Sequence, residues 1–218
     1  MKNIYFLLSV TVLLSACGSE SKKETEKQTI LVETDKNAPK YGAKSNILLE
    51  NVEVSGSVTL DSTTLILNGA GVRNKFHLKV YVGSLYLLNK SNNPKEIIEK
   101  DEPQLVVVDI TSILMTSGSM TKYIAEGFVK STGGKTADIQ HEIDQALSMF
   151  NRSPINKNDK FEIFYLPNEG GIKAFKNGKF LYFVPCGMEF KKAIFGIWLG
   201  NDPVDEDLKT GMLGLVVK

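Results

Sequence analysis

The chain is poor in the residues that usually build a catalytic centre. It has two histidines and two cysteines in 218 residues. It also lacks Gly-x-Ser-x-Gly, His-Glu-x-x-His and paired Cys-x-x-Cys motifs. A histidine-based triad and a metal centre are poorly served by such a sequence, and no metal or cofactor is expected. Charge of one sign is missing too. Lys and Arg number 26 against 25 Asp and Glu, a net charge of +1, which gives neither nucleic acid nor an anionic surface a basic patch to bind. Long hydrophobic runs are absent beyond the first residues. There Ile4 to Leu14 follows Met1-Lys2-Asn3; eleven residues rise only ~16 Å as a helix, against a hydrocarbon core of roughly 30 Å. The start therefore reads as a signal peptide over residues 1–16 rather than a permanent span.

With Cys17 set apart, Cys186 has no partner for an internal disulfide, and its place after Pro185 in an apolar run fits a small packed hydrophobe. Residues 17–45 are dominated by Ser, Lys, Glu, Thr and Asn, with Ile30-Leu31-Val32 as an isolated apolar cluster, and read as a flexible stalk. Residues 46–218 have the size and apolar content of one domain.

Within that domain, period-two alternation marks strands at Leu49–Val54, Val58–Leu60, Thr64–Leu67, Phe76–Leu88 and Gln104–Ile110. The period then lengthens. Met120, Ile124 and Phe128 share one helix face, as do Ile139, Ile143, Ala146, Leu147 and Phe150, with Gly133-Gly134 between. Strands resume at Lys160–Tyr165 and Gly171–Phe175, and Asn177-Gly178 predicts a tight hairpin into Phe180–Val184. Phe190–Leu199 is helical, and Asp202-Pro203 with Asp205 predicts the start of a last short helix ended by Gly211. The sum is an α+β fold, a large curved antiparallel sheet backed by helices.

His141 falls beside Gln140 and Glu142 on a solvated helix face, and His77 in an extended stretch pointing away from the core. Phe76, Phe128, Met149, Phe195 and Trp198 read as ordinary core. The run Asp205-Glu206-Asp207 reads as a helix start, not a metal site. Asn68-Gly69-Ala70-Gly71-Val72-Arg73 is no dinucleotide fingerprint, because the third glycine is missing and strands surround it. Its glycines predict a bulge or a close backbone approach that re-aims Arg73 to the concave face of the sheet, with Tyr81 in reach. An arginine beside a tyrosine hydroxyl can clamp a carboxylate or enolate oxygen; a surface Arg73 with a salt-bridge partner is the alternative.

Two stretches carry resemblances. Leu14-Ser15-Ala16-Cys17 resembles the lipobox of bacterial lipoproteins, which implies acylation of Cys17, a membrane anchor and a place in the cell envelope, the periplasmic face of the outer membrane being favoured. Gly69 to Arg73, Lys79 to Leu87, Trp198-Leu199-Gly200 and Pro203 to Lys209 resemble the chalcone isomerase-like family in its bacterial branch. The resemblance implies an open-faced β-sandwich with a ligand cleft between sheet and helices. It offers two activities: intramolecular closure of an enone, with Arg73 as the catalytic electrophilic group, or fatty-acid binding without catalysis. The family arginine falls on Arg73, and the strand position held by threonine in the enzymes falls on Tyr81, as in the fatty-acid binders. The enzymes' helix tyrosine and asparagine fall on Met120 and Gly127, or the tyrosine on Tyr123 after a small shift, and their late Thr or Ser on Ile197. Met and Gly cannot position a ketone by side-chain hydrogen bonds, so the expected role is binding a fatty acid or similar amphipathic anion through Arg73 and Tyr81. A partner-binding protein with a packed cleft is the third possibility.

Overall fold

The computed structural model describes residues 38–216. Cys17, the signal segment and most of the expected stalk lie outside these residues. Ten strands form: β1 (Lys40–Tyr41), β2 (Lys44–Leu49), β3 (Val52–Ser55), β4 (Ser57–Leu60), β5 (Thr63–Lys75), β6 (Leu78–Leu87), β7 (Gln104–Ile110), β8 (Lys160–Leu166), β9 (Gly171–Lys176) and β10 (Lys179–Pro185). Between and after them run α1 (Pro94–Glu99), α2 (Ser117–Thr132), α3 (Gln140–Phe150), α4 (Met188–Leu199) and α5 (Glu206–Met212). β1 and the start of β2 fall within the stretch read as stalk, because Tyr41 is drawn onto the sheet by contacts that local composition does not reveal. Among the described residues no helix is long and apolar enough to cross a membrane.

Eight strands make one antiparallel sheet in the order β1-β4-β5-β6-β7-β8-β9-β10, and β2 pairs with β3 separately. Alternation sends Leu85, Val106, Val108, Phe161 and Ile163 to the face that packs on the helices, with Phe128, Phe190, Phe195 and Trp198. The neighbouring residues Tyr86, Leu105, Val107 and Phe164 go to the opposite face, closed by Ile47, Leu49 and Val52 of the β2–β3 pair. The sheet curls around this second face. The hydroxyl of Tyr41 in β1 donates to Glu162 Oε1 in β8 at 2.9 Å, although the two strands are five places apart in the sheet. The α+β architecture expected from the sequence is therefore present, as a curled half-barrel with helices on its outer face.

Several local readings change. Leu49–Val54 is not one strand: Glu50 and Asn51 turn with φ of 48° and 64° and split it into β2 and β3. His77 is exposed as expected but lies in a turn, with φ 64°, and Phe76 beside it is 84% exposed rather than core. Asp202-Pro203 does not cap α5. Asp205 does, accepting from the Leu208 amide at 2.9 Å, while Asp202 pairs with Lys130.

The glycine-rich stretch shapes the sheet. Leu67 stands opposite Tyr86 and Gly69 opposite Leu85, so Asn68 is an extra residue, a bulge. Leu65 and Leu67 face inward to the curled side, whereas after the bulge Gly69, Gly71 and Arg73 face the helices. The bulge is thus where the sequence suggested, but it turns Arg73 to the helix-covered face, not the concave one. Helix α5 lies almost on the β5 backbone: a Cβ on Gly211 would sit 2.5 Å from the Ala70 carbonyl oxygen, and one on Gly71 2.9 Å from that of Leu208. Because the obstacle is backbone, Gly211→Ala is expected to cost about 1–3 kcal/mol in urea unfolding. An unchanged midpoint would contradict the close packing.

The curled side holds an acidic group without full compensation. Glu162 is completely buried; Tyr41 satisfies Oε1, but Oε2 has no partner. Burial pushes its carboxyl up to about 7, against the opposing pull of the Tyr41 hydroxyl and Lys160. Since the folded value lies above the ordinary 4.5, this group's contribution is fully present below about pH 4.5 and is lost as pH rises through about 7. Glu162→Gln should therefore match the wild type near about pH 4 and exceed it by ~3 kcal/mol near about pH 8. Urea unfolding at the two pH values measures this, and a wild type that keeps pace with the variant at the higher pH would refute it.

Candidate functional site: a buried guanidinium between two tyrosines

In the β5–β6 ladder Arg73 stands directly opposite Tyr81, so both side chains leave the same face of the sheet side by side. The guanidinium carbon lies 5.4 Å from the Tyr81 ring centroid and 4.6 Å from that of Tyr123, which α2 brings over from the other side. Arg73 is 4% exposed. A surface arginine with a salt-bridge partner, the alternative left open by spacing alone, is not what forms.

What surrounds the cation is aromatic and apolar, not acidic. Among the described residues no carboxylate lies within ion-pair distance of Arg73, and its Nε has no hydrogen-bond partner. Asp205, which bonds the residue after Arg73, spends both oxygens on backbone amides, Oδ1 on Leu208 and Oδ2 on Asn74, each at 2.9 Å. Tyr81 is equally underused. Its oxygen accepts from Trp198 Nε1 at 3.0 Å, and its own proton finds no acceptor among the described residues. Burial pushes the Tyr81 phenol above its ordinary value, opposed by Arg73 and Trp198, so the hydroxyl keeps a proton it can donate to a ligand. An N–H and an O–H donor are therefore present side by side in a dry place, which suits one anionic oxygen pair and leaves no general base beside them.

The space between sheet and helices is filled. Met120, Ile124, Phe128, Ile197 and Trp198 all pack in the same core as Tyr81. Gly127 lets α4 close on α2, because a Cβ there would be 2.7 Å from Ile197 Cγ2. The positions expected for the enzymes' tyrosine and asparagine thus serve packing. Tyr123, the residue reached by a small shift, is the one that touches Arg73. Trp198 was read as core and is core, but its indole also fixes the Tyr81 hydroxyl, a role that no spacing pattern would reveal. Cys186 is partly buried and its thiol is pushed up to about 12 by burial, so it is no nucleophile. His77 and His141 are both exposed. Among the described residues no cluster of His, Cys, Asp and Glu could hold a metal ion.

Comparison with known proteins agrees with this geometry. The family profile described as chalcone isomerase-like matches residues 47–214. The chain belongs to the chalcone isomerase-like family. Among solved structures it is similar to a fatty-acid binding protein of Arabidopsis thaliana, with a TM-score of 0.59 at 13% identity, over 77% of this chain and 95% of that one. At that identity the likeness shows the shared fold. No curated protein matches in sequence. In this member of the chalcone isomerase-like family Arg73 and Tyr81 stand side by side on the helix-covered face of the sheet.

Proposed function

We propose that this chain is a non-catalytic binding protein that takes a fatty acid or similar small amphipathic anion, its carboxylate held by Arg73 and Tyr81 and its chain entering between sheet and helices by displacing the side chains that fill that space in the ligand-free protein. The observation that carries this is the buried guanidinium with no acid beside it. A cation removed from water without a counter-charge costs several kcal/mol, and a bound carboxylate would offset that cost. A carboxylate accepting from Arg73 and Tyr81 would complete both groups, with each charge-assisted bond contributing roughly 1.5–3 kcal/mol. The fold shared with a fatty-acid binding protein supports the same ligand class. We also propose that Cys17 carries the acyl anchor, with the domain in the cell envelope, on the periplasmic side of the outer membrane.

Trp198 is the chain's single tryptophan and its indole bonds Tyr81. Its fluorescence should therefore change saturably when a medium-chain fatty acid is added, and not when the matching alcohol is added. No change with either would remove the binding reading. A second reading rests on the filled cleft: a protein that binds a partner through its surface and uses Arg73 only in packing. It expects an inert Trp198 in the same titration.

A further inference from the structure

Four large apolar side chains stand in water at one end of the sheet, from two adjacent loops. Phe76 is 84% exposed and Leu78 48%, in the β5–β6 turn; Ile113 is 79% and Leu114 60% exposed, in the loop between β7 and α2. The second loop starts beside the first, since the amide of Thr111, just after β7, donates to the carbonyl of Val80 near the start of β6 at 3.2 Å. The turn itself is unusual. The β9–β10 hairpin of the same chain turns on Asn177-Gly178, residues that accept positive φ readily. The β5–β6 turn instead puts Phe76 at φ 50° and His77 at 64°, a conformation that strains a bulky side chain. It projects an aromatic ring from the tip where stability alone would favour Asn-Gly.

The same tip leads inward to the candidate site. Lys75 Nζ lies 5.4 Å from the Phe76 ring and 4.6 Å from Tyr123, whose ring also covers Arg73. Among the described residues Lys75 has no carboxylate at ion-pair distance, unlike Lys79, which pairs with Glu50 at 2.6 Å. An exposed aromatic and aliphatic tip with an unpaired lysine beside it has the composition of a surface that dips into the interface of a bilayer, the rings and methyl groups among the acyl chains and the ammonium at the headgroup phosphates.

We propose that this end of the domain, formed by Phe76, Leu78, Ile113 and Leu114 with Lys75, contacts the surface of a phospholipid bilayer. The role of that contact in loading a ligand rests on the binding function proposed above; the contact itself does not. Covalent geometry permits it on a Cys17 anchor, because the residues from Cys17 to Ala38 can reach at most ~70 Å.

The test is vesicle co-sedimentation of the chain from Gly18 onward, which lacks the acyl group and keeps both cores whole. Phosphatidylcholine vesicles with and without phosphatidylglycerol are compared. The wild type should partition to both, more strongly to the anionic vesicles. Phe76→Ser with Ile113→Ser and Leu114→Ser, all exposed and so compatible with an unchanged melting temperature, should weaken partition about tenfold or more. Lys75→Gln should remove the preference for phosphatidylglycerol. A wild type that stays in the supernatant, or a triple variant that partitions equally, overturns the proposal. So does concentration-dependent dimerisation abolished by the triple variant, which would assign the surface to a second copy. The Trp198 titration with soluble fatty acid is run on the same samples. A response there without partition sinks the membrane contact alone, and partition without a response sinks the binding function alone.

Discussion

Arg73→Met is expected to be more stable than the wild type and unable to take up a fatty acid. The two effects have one cause. In the ligand-free chain Arg73 is a buried cation whose Nε is unpaired and whose neighbours are Tyr81 and Tyr123. Replacing buried ionic groups by apolar residues of similar volume is often stabilising by about 1–4 kcal/mol, and methionine follows the stem of arginine closely. The stacking on two rings offsets part of the gain, at roughly 1–2 kcal/mol, so a net increase of about 1–2 kcal/mol in thermal or urea unfolding is the expected result. The same variant has no cation for a carboxylate and should lose the Trp198 response. An ordinary core residue would behave otherwise: its removal would cost stability and leave binding no worse than the fold.

Lys191→Met should do the opposite and lose about 2–4 kcal/mol. Lys191 is also fully buried, on the apolar stripe of α4, but all three of its donors are used. Its Nζ donates to the carbonyls of Ile97, Ile98 and Lys100 at 2.9, 2.8 and 2.7 Å, closing the C-terminal end of α1. Burial pulls the ammonium down to about 8, and the three acceptors hold its proton in place. Removing it leaves the carbonyls of Ile98 and Lys100 without their donor, each a desolvation penalty of about 1–3 kcal/mol with some recovered by water, while the Ile97 carbonyl keeps Gln104 Nε2 at 2.6 Å. The contrast between the two cations is the useful part. Lys191 is a buried charge that the fold has satisfied, and Arg73 is one that it has not. Urea midpoints for the two variants measured side by side should move in opposite directions, and a loss of stability in both would mean that Arg73 is structural.

The parts of this arrangement that were legible in the sequence are those set by local chemistry. The Asn177-Gly178 hairpin follows from residues that accept positive φ, and α2, α3 and α4 follow from apolar spacing. The turns at Glu50-Asn51 and Phe76-His77 were hidden because at least one residue in each is a poor candidate for that conformation. α1 leaves no periodic signal in the sequence, being six residues long and closed by a lysine almost a hundred positions away. The start of α5 was placed three residues early because Asp202-Pro203 satisfies the local rule, whereas Asp202 is taken by Lys130 and Asp205 by the amides of Asn74 and Leu208.

At the site, spacing along a strand was enough to put Arg73 and Tyr81 together, and the glycines were enough to suggest the bulge. The face to which the bulge turns Arg73 was not legible, since it depends on which side of the sheet the helices take. Nor was the missing counter-charge. Nothing in the neighbourhood of residue 73 says that Asp205 will approach and then spend both oxygens on the backbone.

The most direct test of the central claim is native mass spectrometry of the chain from Gly18 onward, purified without detergent and then exposed to a medium-chain fatty acid, beside its Arg73→Met variant. A single added acyl mass on the wild type, absent from the variant, is the predicted result. A wild type that remains empty, or a variant that holds the same mass, would contradict a carboxylate site at Arg73.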